Sequence, residues 1–212
     1  MSGARILVYG ASGHGKVVAD AARSAGFTVA AFVDDDPGRR GSRHFGAPVL
    51  PLDEAVRDPG LAGLAIALGI GDNRARQKCS ERAVAAGFTL VTVVHASAVV
   101  APSASLGPGT VVLALAAVNP DAAVGAGAIL NTGCVVEHDC VVGDFAHLSP
   151  SSGLGGAARV GDRSHLGLGA VVLPGVAVGA DARVGAGAVV HRPVPAGVTV
   201  AGVPARPLER KP

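Results

Sequence analysis

The chain predicts two units of different class. An α/β unit built like half of a dinucleotide-binding fold spans residues 1–92. An all-β parallel helix follows over 93–191, with a closing tail at 192–212. Two observations carry this. Near the N-terminus a buried strand, a Gly-rich loop, a helix, a second strand and an acidic cluster follow in that order. From Val94 onward every sixth residue through Val190 is Val or Leu, and composition shifts near residue 92.

The first unit opens on the apolar strand Ile6-Leu7-Val8-Tyr9. Gly10-Ala11-Ser12-Gly13-His14-Gly15-Lys16 is the Gly-rich loop, and a helical pattern runs from Val17 to Ala25, with Gly26 as its stop. Thr28 to Val33 is the second strand, ending at Asp34-Asp35-Asp36 before Pro37. Together these make a βαβ opening with glycines at the first strand-to-helix turn. Leu64 to Leu68 is another buried strand; Gly69-Ile70-Gly71-Asp72-Asn73 leads into a helix reaching about Ala86, and Phe88 to Val93 hands the chain to the coil. The loop fits G-x4-G-K, but Val17 stands where a P-loop needs a hydroxyl for magnesium, which argues against an NTPase. Its glycines, spaced G-x-x-G-x-G, make an imperfect dinucleotide fingerprint. What remains is bare backbone amide at a helix N-terminus, which attracts phosphate, and an acid cluster placed to meet a ribose hydroxyl. The plain alternative is a tight turn with no ligand. The unit is too short for a full dinucleotide fold and suits a nucleotide-linked small molecule.

In the second unit the residue two before each aliphatic is small at every step except Val176, and Gly often follows, as at Gly107, Gly125, Gly143, Gly161, Gly179 and Gly185. One branched and one small inward residue per six describe a chain coiling around its own axis. Three hexads close one triangular coil of about 18 residues, stacked at about 4.8 Å. The beat is too short for an amphipathic α-helix. One Tyr, five Phe and no Trp agree with a bore that holds only aliphatics. Corners are expected to use Gly and Asn, which tolerate positive φ. Such a stack needs capping at both ends, by the N-terminal unit and the Pro-rich tail. The pattern leaves the coil's hand open.

A net charge of +2 with 16% charged residues implies no nucleic-acid-binding field. No segment has the length and apolarity of a membrane span, and the N-terminus leads too quickly into a strand to be a signal peptide. Three Cys without metal-ligand spacing point to a reducing cytoplasm and to no metal.

The loop Gly10–Lys16, then Asp34–Asp36, then Gly69–Arg74, then Asn131 through His138-Asp139-Cys140, then Gly202-Val203-Pro204-Ala205-Arg206 occur in this order. Together they resemble the bacterial sugar acetyltransferases that modify nucleotide-activated amino sugars: the bacillosamine-pathway and perosamine N-acetyltransferases and the related sialic acid O-acetyltransferases. The resemblance spans essentially the whole chain. It implies a left-handed parallel β-helix of hexapeptide repeats, a homotrimer with sites between subunits, acetyl-CoA as donor, and a nucleotide-sugar held by the N-terminal unit. The residues expected to hold that sugar nucleotide are Gly10, Ser12, Gly13, His14, Gly15, Lys16, Asp34, Asp35, Asp36, Gly71 and Asn73, with Asn131 of the coil on the sugar or its amine.

Asn131, Glu137, His138, Asp139, Asp144 and His147 form the densest polar cluster of the coil. Acetyl transfer to an amine needs a base, a donor for the oxyanion and aligned substrates. His138 is the expected base, since imidazole titrates near working pH and the family's catalytic His lies in the same motif. Asp139 matches the acidic neighbour. Adjacent strand residues face opposite ways, so that pairing needs a corner, and Glu137 or Asp144 remain alternatives. His147 lies half a coil from His138, and a role beside it implies a neighbouring chain. The resemblance gives His147 and a Gly156 amide to acetyl-CoA; His165 lining the cofactor groove and Arg206 meeting a cofactor phosphate complete that set, against the plainer reading of both as solvated. The function implied is N-acetylation of a UDP- or GDP-linked 4-amino-4,6-dideoxy sugar. Sialic acid O-acetylation, a non-catalytic sugar-binding or scaffold coil, and a nucleotide-sensing module are the competing readings.

Overall fold

The computed structural model describes residues 3–208. The N-terminal unit has β1 (Arg5–Tyr9), α1 (Gly13–Ser24), β2 (Thr28–Val33), a short 3₁₀ turn (Pro37–Arg39), β3 (Arg43–His44), β4 (Ala47–Leu50), α2 (Leu52–Arg57), β5 (Ala65–Leu68), α3 (Asn73–Ala85) and β6 (Thr89–Leu90). Its sheet runs β3-β4-β2-β1-β5-β6 and is parallel except at β3. The stretch from Arg43 to Arg57, not anticipated as structure, forms an edge hairpin and a short helix; Pro48 lies in that edge, where a missing N–H is tolerated. α1 begins at Gly13, four residues earlier than its apolar pattern, because the second half of the Gly-rich loop is already helical behind Ser12. Gly26, at φ 87°, ends it as expected.

From Val93 the chain forms two-residue strands in three parallel sheets. Partners lie 18 residues apart, as in Val111 with Ile129 and His147 with His165. The architecture is a left-handed β-helix. The second residue of each strand points inward and is buried, with the small residue two before it, in one continuous core from Val112 to Val200. Where the small residue is polar it finds a backbone carbonyl: Thr110 Oγ1 donates across coils to Gly125 (2.7 Å), Ser164 Oγ across coils to Gly179 (2.6 Å), and Ser152 Oγ within its own turn to Ser149 (2.8 Å). That is why Thr and Ser are tolerated inside an aliphatic bore.

The corners differ from expectation. Gly takes many left-handed positions, but no Asn does; Leu115, Asp121, Asp139, Phe145, Arg163 and Asp181 are there as well. The stacking ladder holds them: Arg163 N–H donates to the Asp144 carbonyl and Asp181 N–H to that of Asp162, both at 2.8 Å. Each such corner costs roughly 1–2 kcal/mol, which the ladder offsets. At the far end the coil shortens. Val184 pairs with Val200 and Val178 bridges Val194, 16 residues apart, and Arg206–Pro207 closes the sheet with an antiparallel pairing.

The three faces present different outward residues. The first carries Val93, Val111, Ile129, His147, His165, Arg183 and Thr199 in one ladder. The N-terminal unit covers its start, with Val18, Ala22, Val93, Val111 and Leu113 in one buried cluster. The second face carries Val99, Ala117, Val135, Gly153, Val171 and Val189, with no charged group at these strand positions.

Candidate functional site

His138 and Asp139 occupy the corner after the Val135–Val136 strand. Asp139 adopts φ 61°, and this turn brings the adjacent side chains together. Nδ1 of His138 and Oδ2 of Asp139 lie 2.8 Å apart, so the corner demanded by that pairing is present. The carboxylate accepts from Nδ1–H and leaves Nε2 with a free lone pair. It also raises the imidazole pKa above its ordinary value. The imidazole is 62% exposed. Asp144 is engaged elsewhere, accepting from Ala126 N–H at 2.7 Å.

Gly156 lies one coil beyond His138. A Cβ there would stand 2.6 Å from His138 Nε2 and 2.7 Å from Cε1. Only glycine lets the ring rest on the next corner.

His147 and His165 lie on the first face, away from the His138 corner. Their rings stack at 4.8 Å between centroids and 1° between planes. Asn131 Nδ2 is 3.0 Å from His147 Nε2, and Ser149 Oγ is 2.8 Å from His165 Nε2. With Nε2 accepting from the amide, His147 carries its proton on Nδ1, which is buried and has no partner. Asn131 therefore meets His147, not His138. His14, from the Gly-rich loop, closes the group with its ring 6.1 Å from that of His147, and its Nε2 is also buried and unpartnered. Burial, with the neighbouring His165 and Arg76 charges, lowers His147 to about 3; burial, with the Arg76 charge, lowers His14 to about 4; burial lowers His165 too. These three rings are neutral near pH 7, whereas His138 is tuned the opposite way.

A cleft of about 610 Å³ runs along this face from Gly71, Asp72, Asn73 and Arg74 to Gly197 and Thr199, past His147, Arg163, His165, Asp181 and Arg183. A second cavity, about 530 Å³, opens on the N-terminal unit between Tyr9, Gly10, Ser12, Asp34, Asp35, Asp36, Arg39, Cys79 and Arg82. Gly71 and Asp72 line both.

The acidic cluster is partly engaged within the unit. Asp34 accepts from Ala11 N–H (2.8 Å) and so braces the Gly-rich loop. Asp35 accepts from Tyr9 OH and Arg82, both at 2.7 Å. Asp36 accepts from Gly38 N–H at 3.0 Å. Ser12 precedes α1 without a side-chain cap bond. Gly15 packs on the carbonyl of Gly10, while Gly13 and Lys16 are exposed; none of the three lines the cavity. Asn73 Nδ2 donates to the carbonyls of Arg163 (2.8 Å) and Ser164 (3.0 Å), so its amide joins the two units. Arg206 lies at the far end, beside His191, and lines a separate cavity of about 270 Å³.

Sequence reasoning missed the cationic cleft wall. Arg183 was accessible to it, lying 18 residues beyond His165 in the same ladder. Arg76, wholly buried in α3, had no signal among its charged helix neighbours. Among the described residues no three His, Cys, Asp or Glu side chains converge as metal ligands, and no helix is long and apolar enough to cross a membrane.

Residues 5–83 match the family described as the PglD N-terminal domain. The whole chain is similar to a mutant of perosamine N-acetyltransferase from Caulobacter crescentus, solved with CoA and GDP-perosamine: 47% identity over 97% of both chains, TM-score 0.91. It is also similar to the acetyltransferase domain of PglB from Neisseria gonorrhoeae FA1090 in complex with acetyl coenzyme A, at 39% identity over 97% of this chain and 100% of that one, TM-score 0.88. WeeI from Acinetobacter baumannii AYE aligns at 31% identity over 96% and 99%, TM-score 0.86. With its half-dinucleotide fold, its hexapeptide coil and this identity along nearly its full length, the chain belongs to the bacterial nucleotide-sugar N-acetyltransferase family.

Proposed function

We propose that the protein transfers the acetyl group of acetyl-CoA to the amino group of a nucleotide-linked 4-amino-4,6-dideoxy sugar, with His138 as general base. The observation that carries this is the exposed imidazole held through Nδ1 by Asp139 at 2.8 Å. Its Nε2 is free and its basicity is raised toward working pH. His14, His147 and His165, whose pKa values are all lowered, are poorer bases by the same reasoning.

In the reaction Nε2 of His138 takes the amine proton as nitrogen attacks the thioester carbonyl. The oxyanion that forms is met by fixed donors; the Gly156 amide is the candidate. Collapse expels the CoA thiolate, which the imidazolium protonates. The cleft past Arg163 and Arg183 suits the donor's diphosphate, and His165 lines its wall. Arg206 stands beyond the cleft, at the end where the adenosine phosphate would lie. The second cavity suits the nucleotide, with the α1 N-terminus beside Ser12 favouring its phosphates. The relative bound to GDP-perosamine supports a GDP-linked acceptor. The unit within 1–92 holds that acceptor, 93–191 carry the chemistry and the tail, whose residues 209–212 lie outside the described ones, closes the coil.

His138 and His147 stand on different sides of one prism, so donor cleft and base meet only between copies. The second face supports a homotrimer: Val99 is 69% exposed and Val171 38% in the single chain, and exposed apolar residues along one face mark an interface. The enzyme is read as cytoplasmic, where acetyl-CoA and nucleotide sugars meet. The test is CoA release from acetyl-CoA with GDP- and UDP-linked 4-amino sugars and free sialic acid, for the native protein and His138→Ala. Release with a nucleotide-amino sugar that falls by roughly 10²–10⁴ in the variant is expected. Release with sialic acid alone, or an unimpaired variant, sinks the reading.

A further inference from the structure

One buried side chain has no part in the chemistry above. Arg76 is wholly inaccessible, and among the described residues no carboxylate pairs with it. All its contacts are to neutral acceptors. Nε donates to the Gly127 carbonyl at 2.7 Å. Nη1 donates to those of Ile70 and Gly71 at 3.0 and 3.1 Å. Nη2 donates to Asn73 Oδ1 at 2.9 Å and to the Phe145 carbonyl at 2.7 Å, with the Ala146 carbonyl a longer third partner at 3.4 Å. Burying an unpaired charge is expensive, and an apolar side chain would fill the same space. The guanidinium contributes direction: five N–H groups in a planar fork, each aimed at a fixed acceptor.

The acceptors come from both units. Ile70, Gly71 and Asn73 belong to the N-terminal unit; Gly127 and Phe145 are corners of two successive coils. Gly71 is also the backbone shared by the acceptor cavity and the donor cleft. Acyl transfer requires the amine and the thioester carbon about 3–3.5 Å apart and aligned. We infer that Arg76 is a positioning residue for this reaction. Its fork locks the Ile70–Gly71 segment to two consecutive corners of the coil, and so sets the register between a sugar amine carried by the N-terminal unit and a thioester lying along the coil. The inference rests on the acyl-transfer reading above.

The test is Arg76→Lys in the full-length protein, assayed below its thermal midpoint. Lysine keeps the charge and loses the fork. The expected result is a kcat at least tenfold lower, with KM for acetyl-CoA and for the nucleotide-amino sugar within threefold of native and the acid limb of the pH profile unmoved. A purely structural role would lower the melting temperature and leave the kcat of the folded enzyme intact; that result, or a raised KM at full kcat, overturns the inference. If Arg76→Lys does not fold, Asn73→Ala removes one acceptor of the fork and two bonds to the coil. It should lower kcat at unchanged KM, and full kcat would overturn the inference. No transfer by the native protein overturns the reading of function together with this inference; transfer at the native kcat in Arg76→Lys overturns the inference alone.

Discussion

Gly156→Ala separates geometry from hydrogen bonding at the base. The backbone at Gly156 is not left-handed, so alanine adopts it without strain. The new methyl would stand 2.6 Å from His138 Nε2. Ordinary contact begins near ~3.5 Å, so the ring must retreat by about 0.9 Å. It can do so freely, because its outer side is open in the single chain; stability should change by less than about 0.5 kcal/mol. A misplacement near 1 Å at the reacting group costs roughly 10²-fold in rate, or about 2.7 kcal/mol in transition-state stabilisation. The alanine N–H remains, so a role confined to the Gly156 amide predicts almost no loss. Steady-state CoA release with a parallel thermal melt reads both quantities. A kcat within threefold of native at an unchanged melting temperature would refute the claim that the bare Cα seats the imidazole.

Three further outcomes follow from the same geometry. Asp139→Asn removes the carboxylate that raises His138. The base acts unprotonated, so the acid limb of kcat/KM should move to lower pH while kcat falls roughly 10–10²-fold; a stationary limb would show that another acid orients the ring. The inner histidines should make the fold acid-sensitive. His147 and His14 have folded pKa values of about 3 and 4, below the unfolded value of about 6.5, so the unfolded state binds more protons in between. Their contribution is complete above pH 6.5 and is lost as pH falls toward 3, at no more than about 1.4 kcal/mol per pH unit for each; thermal midpoints should decline from pH 7 to pH 5, and a flat profile sinks the assignment. Val171→Glu places a charge among the apolar strand positions of the second face. For the homotrimer proposed above, light scattering should report dissociation with loss of activity and an unchanged far-ultraviolet circular dichroism spectrum, whereas an unchanged assembly would overturn the assignment of this face as the interface.

The coil was legible because its rule is local. A bore that admits one branched and one small residue per six leaves that record on every hexad, and the observed ladder keeps that register to Val190. His138 was legible for a related reason: against a background of Ala, Val and Gly, a His-Asp pair at a corner is conspicuous. The corner itself, Asp139 at φ 61°, is a backbone state that neither residue type dictates; the ladder above and below imposes it. The edge segment from Arg43 to Arg57 left no clear trace, because two- and four-residue strands and a six-residue helix carry too little period to read.

Sequence alone determined the class of each unit and the order of the loops, and it singled out the His138–Asp139 pair. Only the tertiary structure decided which residues share a site. The fold brought His14 against His147 across the two units, turned Asn131 toward that pair, drew Asn73 into the joint between the units and closed six neutral acceptors around Arg76. Those contacts depend on how an α/β unit docks on a prism. That docking is set by packing and hydrogen bonding between surfaces far apart in the chain, and no short-range pattern of residues encodes it.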